Sequence, residues 1–443
     1  MPKQVQELKH LPREGHLYPD GVAEIAVIGT GYVGLTTGAC LASLGHRVVC
    51  ADVDETKVAR LKRGEVPIVE DGLDRLVTEG LESGRLEFVL GAANAVGNAE
   101  FVFLCVPTPE GEDGQADLSY VERAAGEVRD LLIRDSVVVN KSTVPVGSTR
   151  VVENVLRRPD VHVVSNPEFL REGTAVHDFL HPDRVVVGAD NQEAALRVGN
   201  LYSSLNAPIV VTDAASAETI KYAANAFLAT KISFVNAIAA ICEGVGADVR
   251  DVMRGIGYDK RIGHEFLRPG PGWGGSCFPK DTLALLKIAE RADYQFDLLR
   301  GVVDVNIQQF NRMAERISTA AGDRGTVAVW GLTFKALTDD LRDSPALEII
   351  RRLMQMGHSI RAYDPTVRGE LRDFPDVVVC ESEVEACEGS DVLAVLTEWE
   401  NFRWVDPAAV RDLVSSGCVV DTRNLLDRSN WRAAGFAYQG VGR

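Results

Sequence analysis

The chain has 443 residues, of which 46% are hydrophobic and 25% charged, and 47 Lys and Arg against 64 Asp and Glu give a formal net charge of −17. This length exceeds one ordinary core and predicts two or three domains. The acidic balance argues against a nucleic-acid-binding protein. We expect no membrane partner, because no run reaches the roughly 18 apolar residues that a membrane helix needs.

Residues 1–22 lack the apolar core of a signal peptide, and we expect them to form a polar leader ahead of the first strand. Eight cysteines are spread through the chain without a CxxC pair. This pattern argues against a zinc ribbon or a disulfide scaffold and is typical of a reducing compartment. We therefore expect a cytoplasmic protein without a metal site.

Residues 23–53 have the pattern of a dinucleotide-binding turn. A β-branched strand leads into a glycine-rich turn, a helix-length stretch and a second strand that ends at Asp52. The turn consists of Gly29, Thr30, Gly31, Tyr32, Val33 and Gly34. Such a turn brings a pyrophosphate close to the helix N-terminus, whose free N–H groups favour anions. Because Asp52 can accept the ribose hydroxyls and would repel a 2′-phosphate, the pattern predicts NAD rather than NADP.

Two more apolar strands are predicted at 99–107 and 136–142, and they are followed by Thr108 and Thr143. Ligands of open parallel sheets lie outside the carboxyl ends of the strands, so both threonines are placed to contact the cofactor. A role in turn formation alone is an equally good alternative for each.

The segment 216–244 has no proline, is rich in alanine and is apolar on nearly all sides. This pattern predicts a long helix buried between domains or in a dimer interface. Lys221 and Asn225 are four residues apart and share one face of the helix. Lys221 either serves a polar site or extends its side chain to solvent, and its position alone leaves both interpretations open.

Residues 261–281 contain five glycines and three prolines, and a helix is predicted to begin at Phe278. Cys277 lies at the N-terminus of that helix, close to Lys280, and both features stabilise a thiolate. Asp281 follows one turn later on the same side. A glycine-rich loop is an unusual place for a structural cysteine, so we interpret Cys277 as a catalytic nucleophile.

The last third of the chain predicts a second α/β unit, with strands at 326–330, 359–363, 391–396 and 418–421 and a helix capped at 343–345. It lacks the turn with three glycines and need not hold a second dinucleotide. Lys335 and Arg342 are candidates for contacts with a pyrophosphate, or they are ordinary surface cations.

Six motifs occur together: GTGYVGL at 29–35, VPTP at 106–109, KSTVPVG at 141–147, NPEFLREG at 166–173, GGSCFPKD at 274–281 and FKALTDDLRDSP at 334–345. With the Lys221 and Asn225 helix, they resemble the UDP-glucose/GDP-mannose dehydrogenase family over residues 23–430. The resemblance implies two Rossmann-like, doubly wound α/β domains joined by a long central helix and a helical dimerisation region. It implies a leader at 1–22, an NAD-binding domain at 23–212, a central helical domain with the cysteine loop at 213–310 and a UDP-sugar-binding domain at 311–443.

The reaction implied by the resemblance is a four-electron oxidation of UDP-glucose to UDP-glucuronate with two NAD⁺, through a thiohemiacetal and a thioester on Cys277. Lys221 and Asn225 would stabilise oxyanions, Asp281 would orient water or act as a base, and Glu168 would transfer a proton. The implied catalytic set is Cys277, Lys221, Asn225, Asp281, Glu168 and Thr143.

The resemblance also implies two sets of binding residues. Those for NAD are Gly29, Gly31, Tyr32, Val33, Gly34, Asp52, Lys57, Thr108, Thr143, Glu172, Lys280 and Arg342. Those for the nucleotide sugar are Glu168, Phe169, Leu170, Arg171, Glu172, Lys221, Asn225, Arg261, Phe266, Leu267, Gly270, Gly274, Phe334 and Lys335. A homodimer through the central helix is expected.

Alternatives stay open at this point. GDP-mannose or a UDP-N-acetylhexosamine could replace UDP-glucose within the same chemistry. A two-electron hydroxyacid dehydrogenase would share the glycine-rich turn and the long helix but would need no cysteine. A catalytically inactive sensor of nucleotide sugars would not need the intact catalytic set. The leader and Trp273 depart from the family pattern without touching this chemistry.

Overall fold

The computed structural model describes residues 21–109, 111 and 116–443, together with the backbone of residues 6–8. The chain divides into two compact units, Met1–Ala223 and Ala224–Arg443. The division falls inside one long helix, α8 (Ala214–Val245). The domain boundaries expected from the sequence stay predictions.

The first unit is built on one nine-stranded sheet. Its strands are β1 (Gln6–Leu8), β2 (Glu24–Ile28), β3 (Arg47–Asp52), β4 (Leu86–Leu90), β5 (Phe101–Leu104), β6 (Val137–Asn140), β7 (His162–Ser165), β8 (Val185–Gly188) and β9 (Ile209–Thr212). Their order is β1-β9-β8-β7-β6-β5-β2-β3-β4. The strands from β2 to β7 are parallel, whereas β8 is antiparallel to β7 and β1 is antiparallel to β9.

Helices cover both faces of this sheet. They are α1 (Tyr32–Ser43), α2 (Glu55–Lys62), α3 (Leu73–Glu82), α4 (Ser119–Val128), α5 (Ser148–Leu156), α6 (Ala175–Leu180) and α7 (Gln192–Asn200). Along β5, Phe101 and Phe103 enter one core while Val102 and Leu104 enter the other. Such continuously apolar strands are typical of a parallel sheet buried on both faces.

The predicted leader contributes to the sheet. Gln6–Leu8 pair with Ile209–Val211 as an edge strand, so the expectation that the leader precedes the first strand is wrong for these residues. Edge pairing uses backbone groups and does not require an apolar sequence, which explains why the pattern gave no sign of it. Residues 1–5 and 9–20 lie outside the described part of the chain.

Helix α8 is longer than the predicted 216–244 and is apolar enough, by length and composition, to cross a membrane. The expectation that no segment passes that test is therefore wrong. Its polar residues Glu218, Lys221 and Asn225 are nevertheless buried and hydrogen-bonded to protein groups. This part of α8 is therefore packed against protein groups.

The second unit holds a six-stranded, fully parallel sheet in the order β12-β11-β10-β13-β14-β15. Its strands are β10 (Thr326–Trp330), β11 (Ser359–Tyr363), β12 (Val378–Val379), β13 (Ser390–Val395), β14 (Val414–Asp421) and β15 (Ala437–Gly440). Its helices are α9 (Val249–Gly257), α10 (Phe278–Arg291), α11 (Asp297–Ala321), α12 (Pro345–Gln355), α13 (Glu383–Cys387), α14 (Pro407–Arg411) and α15 (Arg428–Ala433). The predicted fold class, two Rossmann-like sheets with a long central helix, is confirmed.

Candidate active site

The glycine-rich turn has the geometry of an anion cradle. A Cβ at Gly34 would lie 1.9 Å from the Gly29 carbonyl oxygen, so only glycine lets α1 leave the strand this closely. Gly31 is the N-cap residue of α1, no side chain caps the helix there, and no described atom lies within 4 Å of a Cβ built on Gly31. The space beside Gly31 is open and no side chain caps the first N–H groups of α1, so the turn fits a dinucleotide pyrophosphate.

Asp52 ends β3 beside this turn. Its Oδ2 accepts hydrogen bonds from the backbone N–H and the hydroxyl of Thr30 (2.9 and 2.5 Å) and from Lys57 Nζ (3.1 Å). Its Oδ1 accepts from the backbone N–H of Asp54 (3.1 Å). Burial opposes ionisation, but these donors outweigh it and lower the pKa of Asp52 to about 2. The structure thus brings Lys57, another residue of the predicted NAD-binding set, to Asp52.

Glu70 is a further residue of this region that the sequence analysis missed. Its buried carboxylate accepts hydrogen bonds from the Tyr32 hydroxyl and from the backbone N–H groups of Gly173 (2.7 Å) and Val176 (3.4 Å). It ties the glycine-rich turn to the segment 166–173. Glu70 lies outside every motif, and no local pattern could have indicated its partners.

Thr108 and Thr143 lie together at the carboxyl ends of β5 and β6. The Thr108 hydroxyl donates to the Thr143 carbonyl at 2.8 Å. The loop that follows Thr143 is held from α8, because the Glu218 carboxylate accepts from the N–H groups of Gly147 (2.6 Å) and Thr149 (3.0 Å). Turn formation is therefore at least part of the role of Thr108.

Lys221 and Glu168 form a buried ion pair in the first unit. Lys221 Nζ donates to Glu168 Oε1 at 2.8 Å, and both side chains are 5% exposed. The interpretation in which Lys221 extends to solvent is wrong. Although burial favours the neutral acid, Lys221, the backbone N–H of Leu170 (2.7 Å) and Lys141 lower the pKa of Glu168.

The neighbours of Glu168 in the segment 166–173 face different surroundings. The Phe169 ring lies 3.6 Å from the Arg184 guanidinium carbon and 5.5 Å from Lys221 Nζ. Arg171 is exposed and pairs with Asp178 at 2.6 Å. Glu172 is half-buried. Sequence reasoning had not singled out Arg184, which precedes β8.

In the second unit, Cys277 is the N-cap residue of α10, as the loop and Pro279 predicted. It is partly exposed, and its Sγ lies 3.7 Å from the Ser276 hydroxyl. One turn later Asp281, which is fully buried, accepts a hydrogen bond from Asn225 Nδ2 at 2.5 Å. Lys280 Nζ lies 3.2 Å from the other oxygen of Asp281. Asn225, Lys280 and Asp281 thus form one polar cluster beside the helix start that carries Cys277.

The loop that leads to Cys277 is fixed by buried amides. Asn306 of α11 exchanges two hydrogen bonds with the backbone of Trp273 (2.8 and 2.9 Å). Gly270 is bonded through its N–H to Asn236 of α8 and through its carbonyl to Gln309 of α11 (2.9 and 2.7 Å). These contacts give the glycine-rich loop a defined shape.

Phe334 packs against the same loop. A Cβ at Gly275 would lie 2.7 Å from the Phe334 ring, so this glycine allows their close approach. Arg423, which the sequence analysis missed, donates to the Phe334 carbonyl (3.2 Å) and lies 3.4 Å from a Cβ built on Gly270. It therefore brings two segments predicted to bind substrate together.

Other residues of this unit that were predicted to bind substrate or cofactor contact side chains outside the cluster of Asn225, Lys280 and Asp281. Arg261 and Arg342 are exposed and pair with Asp259 and Asp340, both at 2.6 Å. Lys335 Nζ lies 5.5 Å from the Phe334 ring. Phe266 packs edge-on against Phe278. In the same loop Leu267 is buried and Gly274 is half-buried.

The second sheet repeats one detail of the first. Gly29 donates to the Ala51 carbonyl and Gly331 to the Tyr363 carbonyl, both at 2.8 Å. Asp364 ends β11 and accepts from the N–H of Thr333, as Asp52 does from Thr30. Asp364, however, has no exposed surface and also accepts from the Trp399 indole at 3.0 Å. Asp364 therefore differs from Asp52, which keeps a partly exposed carboxylate at the same position of its sheet.

The fold and these groups define a class: an α/β oxidoreductase with one dinucleotide-binding sheet and a cysteine at a helix start. Residues 23–206 match the NAD binding domain, residues 215–308 the central domain and residues 328–428 the UDP binding domain of the UDP-glucose/GDP-mannose dehydrogenase family. The chain belongs to this family.

Similar proteins support the assignment to this family. The chain is 46% identical to a UDP-glucose 6-dehydrogenase of Rhizobium meliloti, over 95% of this chain and 99% of that protein. It is 43% identical to UDP-glucose 6-dehydrogenase TuaD of Bacillus subtilis, over 95% of this chain and 93% of that protein. A solved UDP-glucose dehydrogenase from Pyrobaculum islandicum is similar with a TM-score of 0.87 and 36% identity, over 96% of this chain and 99% of that one.

Proposed function

We propose that this protein oxidises the C6 alcohol of UDP-glucose to the carboxylate of UDP-glucuronate, with two NAD⁺ consumed per sugar and Cys277 holding the intermediate. The observation that carries the proposal is Cys277 at the start of α10 with the Asn225–Asp281 pair one turn away. The UDP binding domain match and the names of the similar enzymes support UDP-glucose as the substrate.

The cysteine answers a chemical requirement. NAD⁺, when bound, accepts one hydride in each of two oxidations. The alcohol loses a hydride and a proton to become an aldehyde, which cannot donate a hydride until a nucleophile adds to its carbon. Addition of Cys277 Sγ forms the S–C6 bond of a thiohemiacetal, and loss of the second hydride gives a thioester. Water then attacks C6 and the S–C6 bond breaks, which releases the carboxylate and regenerates Cys277. Over the whole reaction the alcohol and the water together lose two hydrides and three protons.

Charged and polar side chains stabilise each stage. Lys221 and Asn225 lie one turn apart on α8 and stabilise the oxyanions that develop on the C6 oxygen. Asp281 orients the attacking water or removes its proton, and Glu168 transfers a proton during hydrolysis. Thr143 and Glu172 would line the nicotinamide part of the NAD site.

Each of the two units contributes residues to the binding of NAD and of the nucleotide sugar. In the first, the glycine-rich turn, Asp52, Lys57 and Thr108 hold NAD, and Phe169, Leu170 and Arg171 contribute to the sugar. In the second, Lys280 and Arg342 serve NAD. The nucleotide sugar is held there by Arg261, Phe266, Leu267, Gly270, Gly274, Phe334 and Lys335.

We also propose a homodimer built on α8 and a cytoplasmic location. Phe227, Phe234, Ile241 and Val245 form an apolar stripe on α8, exposed by 66%, 52%, 57% and 72%. Their spacing of seven, seven and four residues places them on one face of the helix. A second copy of α8 would remove this stripe from water.

Replacing Cys277 by Ser tests the mechanism. Because a serine hydroxyl is a far poorer nucleophile, we expect steady-state UDP-glucuronate formation to fall at least about a thousandfold. The first oxidation or a trapped adduct should remain detectable by mass spectrometry. Cys418→Ser, at a buried cysteine of β14, is the matched control and should retain activity. Full turnover by Cys277→Ser would refute the assignment of the nucleophile.

A further inference from the structure

Lys141 is a buried charged residue that the mechanism above does not use. It follows β6 and is 5% exposed. Its Nζ donates to Asn166 Oδ1 at 3.1 Å and lies 3.5 Å from the Tyr202 hydroxyl. Among the described residues, no carboxylate oxygen lies within ion-pair distance of this ammonium. A buried cation without an anion in direct contact costs free energy, even when neutral groups accept its hydrogen bonds.

Asn166 is the first residue of the segment that carries Glu168. Its amide nitrogen donates to the Val186 carbonyl of β8 at 2.7 Å, and its amide oxygen also accepts from the Tyr202 hydroxyl at 2.7 Å. Lys141 therefore completes a buried network that fixes where the segment 166–173 leaves β7.

The charged and titratable groups around Lys141 come from several elements: Cys105 after β5, Glu168 after β7, Tyr202 after α7 and Lys221 on α8. Burial raises the pKa of the Cys105 thiol to about 12, so this thiol is neutral. Glu168 is thus the anion in this group, and Lys141 lowers its pKa together with Lys221. Burial lowers the pKa of Lys141 itself to about 8.

We propose that Lys141 is a positioning residue that orients the segment 166–173 through Asn166 and whose charge keeps Glu168 ionised for proton transfer. The inference rests on the proposed function, since it assumes that the Glu168 carboxylate takes part in the reaction. Lys221 alone could keep the Glu168 carboxylate ionised. A reaction in which Lys221 also stabilises an oxyanion would, however, weaken the interaction between Lys221 and Glu168. Lys141 supplies a second positive charge that stays in place.

The pH profile of turnover separates the charge of Lys141 from its hydrogen bond. In Lys141→Gln the side chain stays polar but uncharged, so the pKa of Glu168 should rise. We expect the acidic limb of kcat to move up by about one pH unit. Tyr202→Phe removes a hydrogen bond to Asn166 and leaves the charge, and its acidic limb should stay at the wild-type pH. A wild-type limb in Lys141→Gln would overturn the inference.

Thermal unfolding of the protein without substrate or NAD provides a readout that does not depend on turnover. Lys141 has a pKa of about 8 in the fold against 10.5 as its ordinary value, so the unfolded chain binds more protons between these values. Stability therefore rises with pH across this window in the wild type. The Tm of the wild type minus that of Lys141→Gln should become more positive from pH 7 to pH 10. A difference that is constant with pH would contradict a buried, charged Lys141.

Glu168→Gln, measured in parallel, separates this inference from the proposed function. If Glu168→Gln keeps wild-type turnover, the proton-transfer role of Glu168 fails, and the inference fails with it. If Glu168→Gln is impaired while Lys141→Gln keeps the wild-type acidic limb, only the inference about Lys141 fails. Should Lys141→Gln not fold, Lys141→Met, which has a similar shape and no charge, takes its place in both measurements.

Discussion

Asp52 uses its two carboxylate oxygens differently. Oδ2 already accepts from both donors of Thr30 and from Lys57, whereas Oδ1 accepts from the Asp54 backbone alone. We infer that Oδ1 is the oxygen left to receive a ribose hydroxyl. The contacts of Oδ2 fix the carboxylate in the orientation that this requires.

Replacement of Asp52 by Ala should weaken NADH binding by about 10- to 100-fold, because a hydrogen bond to a charged acceptor contributes about 1.5–3 kcal/mol. Discrimination against NADPH should fall as well, since the charge that repels a 2′-phosphate is gone. Fluorescence titration with both dinucleotides measures these effects. Asp54→Ala is a matched control that removes the N-cap of α2 and leaves Asp52. An unchanged Kd for NADH in Asp52→Ala would contradict this role.

The pKa of Asp52 also sets a pH window. Because it is lowered to about 2 from 3.8, ionisation of Asp52 stabilises the fold above about pH 4, and this contribution is lost as the pH falls towards 2. Dinucleotide binding should consequently show no titration of Asp52 above about pH 4.

The positions of residues that depend on near neighbours could be predicted from the sequence. Cys277 and its helix start are local, and so is the glycine-rich turn. The pairing of Lys221 with Glu168 joins positions 53 apart in the chain. Hydrophobic periodicity carries no information about such pairs, and Glu70 was missed for the same reason.

At the scale of one element, α8 presents different chemistry on two sides. Glu218, Lys221 and Asn225 recur at spacings of three and four residues and share a face. Phe227 follows Asn225 by two positions, about 200° around the helix, and begins the apolar stripe on the opposite side. In the proposed function, one side of α8 serves the site and the other associates with a second copy.

Phe234→Glu should disrupt the proposed dimer, because it places a charge in the middle of the stripe, where burial without a partner is costly. Light scattering at micromolar concentration should give twice the chain mass for the wild type and the single-chain mass for the variant. Trp404→Glu, at another highly exposed aromatic side chain, should stay dimeric. A wild-type protein of single-chain mass would exclude the proposed dimer.

The strands and helices that the sequence predicted are present in the structure, and two features that it did not predict have physical causes. The predicted strands at 326–330 and 359–363 match β10 and β11 to the residue, because apolar runs between turn signals define buried strands. The reversal of β8 and β9 was not predicted, since strand direction depends on connections rather than on composition. The edge strand β1 was missed because its sequence is polar.

At the scale of the whole molecule, the two α/β units share one strand-and-turn detail, after β2 and after β10, but differ in what they can bind. In the first, Asp52 is partly exposed beside a helix N-terminus that no side chain caps. In the second, Asp364 is buried and accepts a hydrogen bond from the Trp399 indole, and Phe334 packs against the loop that leads to Cys277. The lack of a turn with three glycines indicated this difference in the sequence, whereas the burial of Asp364 required the fold.

The central claim is that one protein carries an alcohol through to a carboxylate by way of a cysteine adduct. The most direct test is the number of NADH molecules formed per UDP-glucose consumed, with NAD⁺ in excess. The account predicts two, with UDP-glucuronate as the product. One NADH per sugar, with the aldehyde released, would contradict the thioester mechanism, and no NADH from UDP-glucose would contradict the substrate.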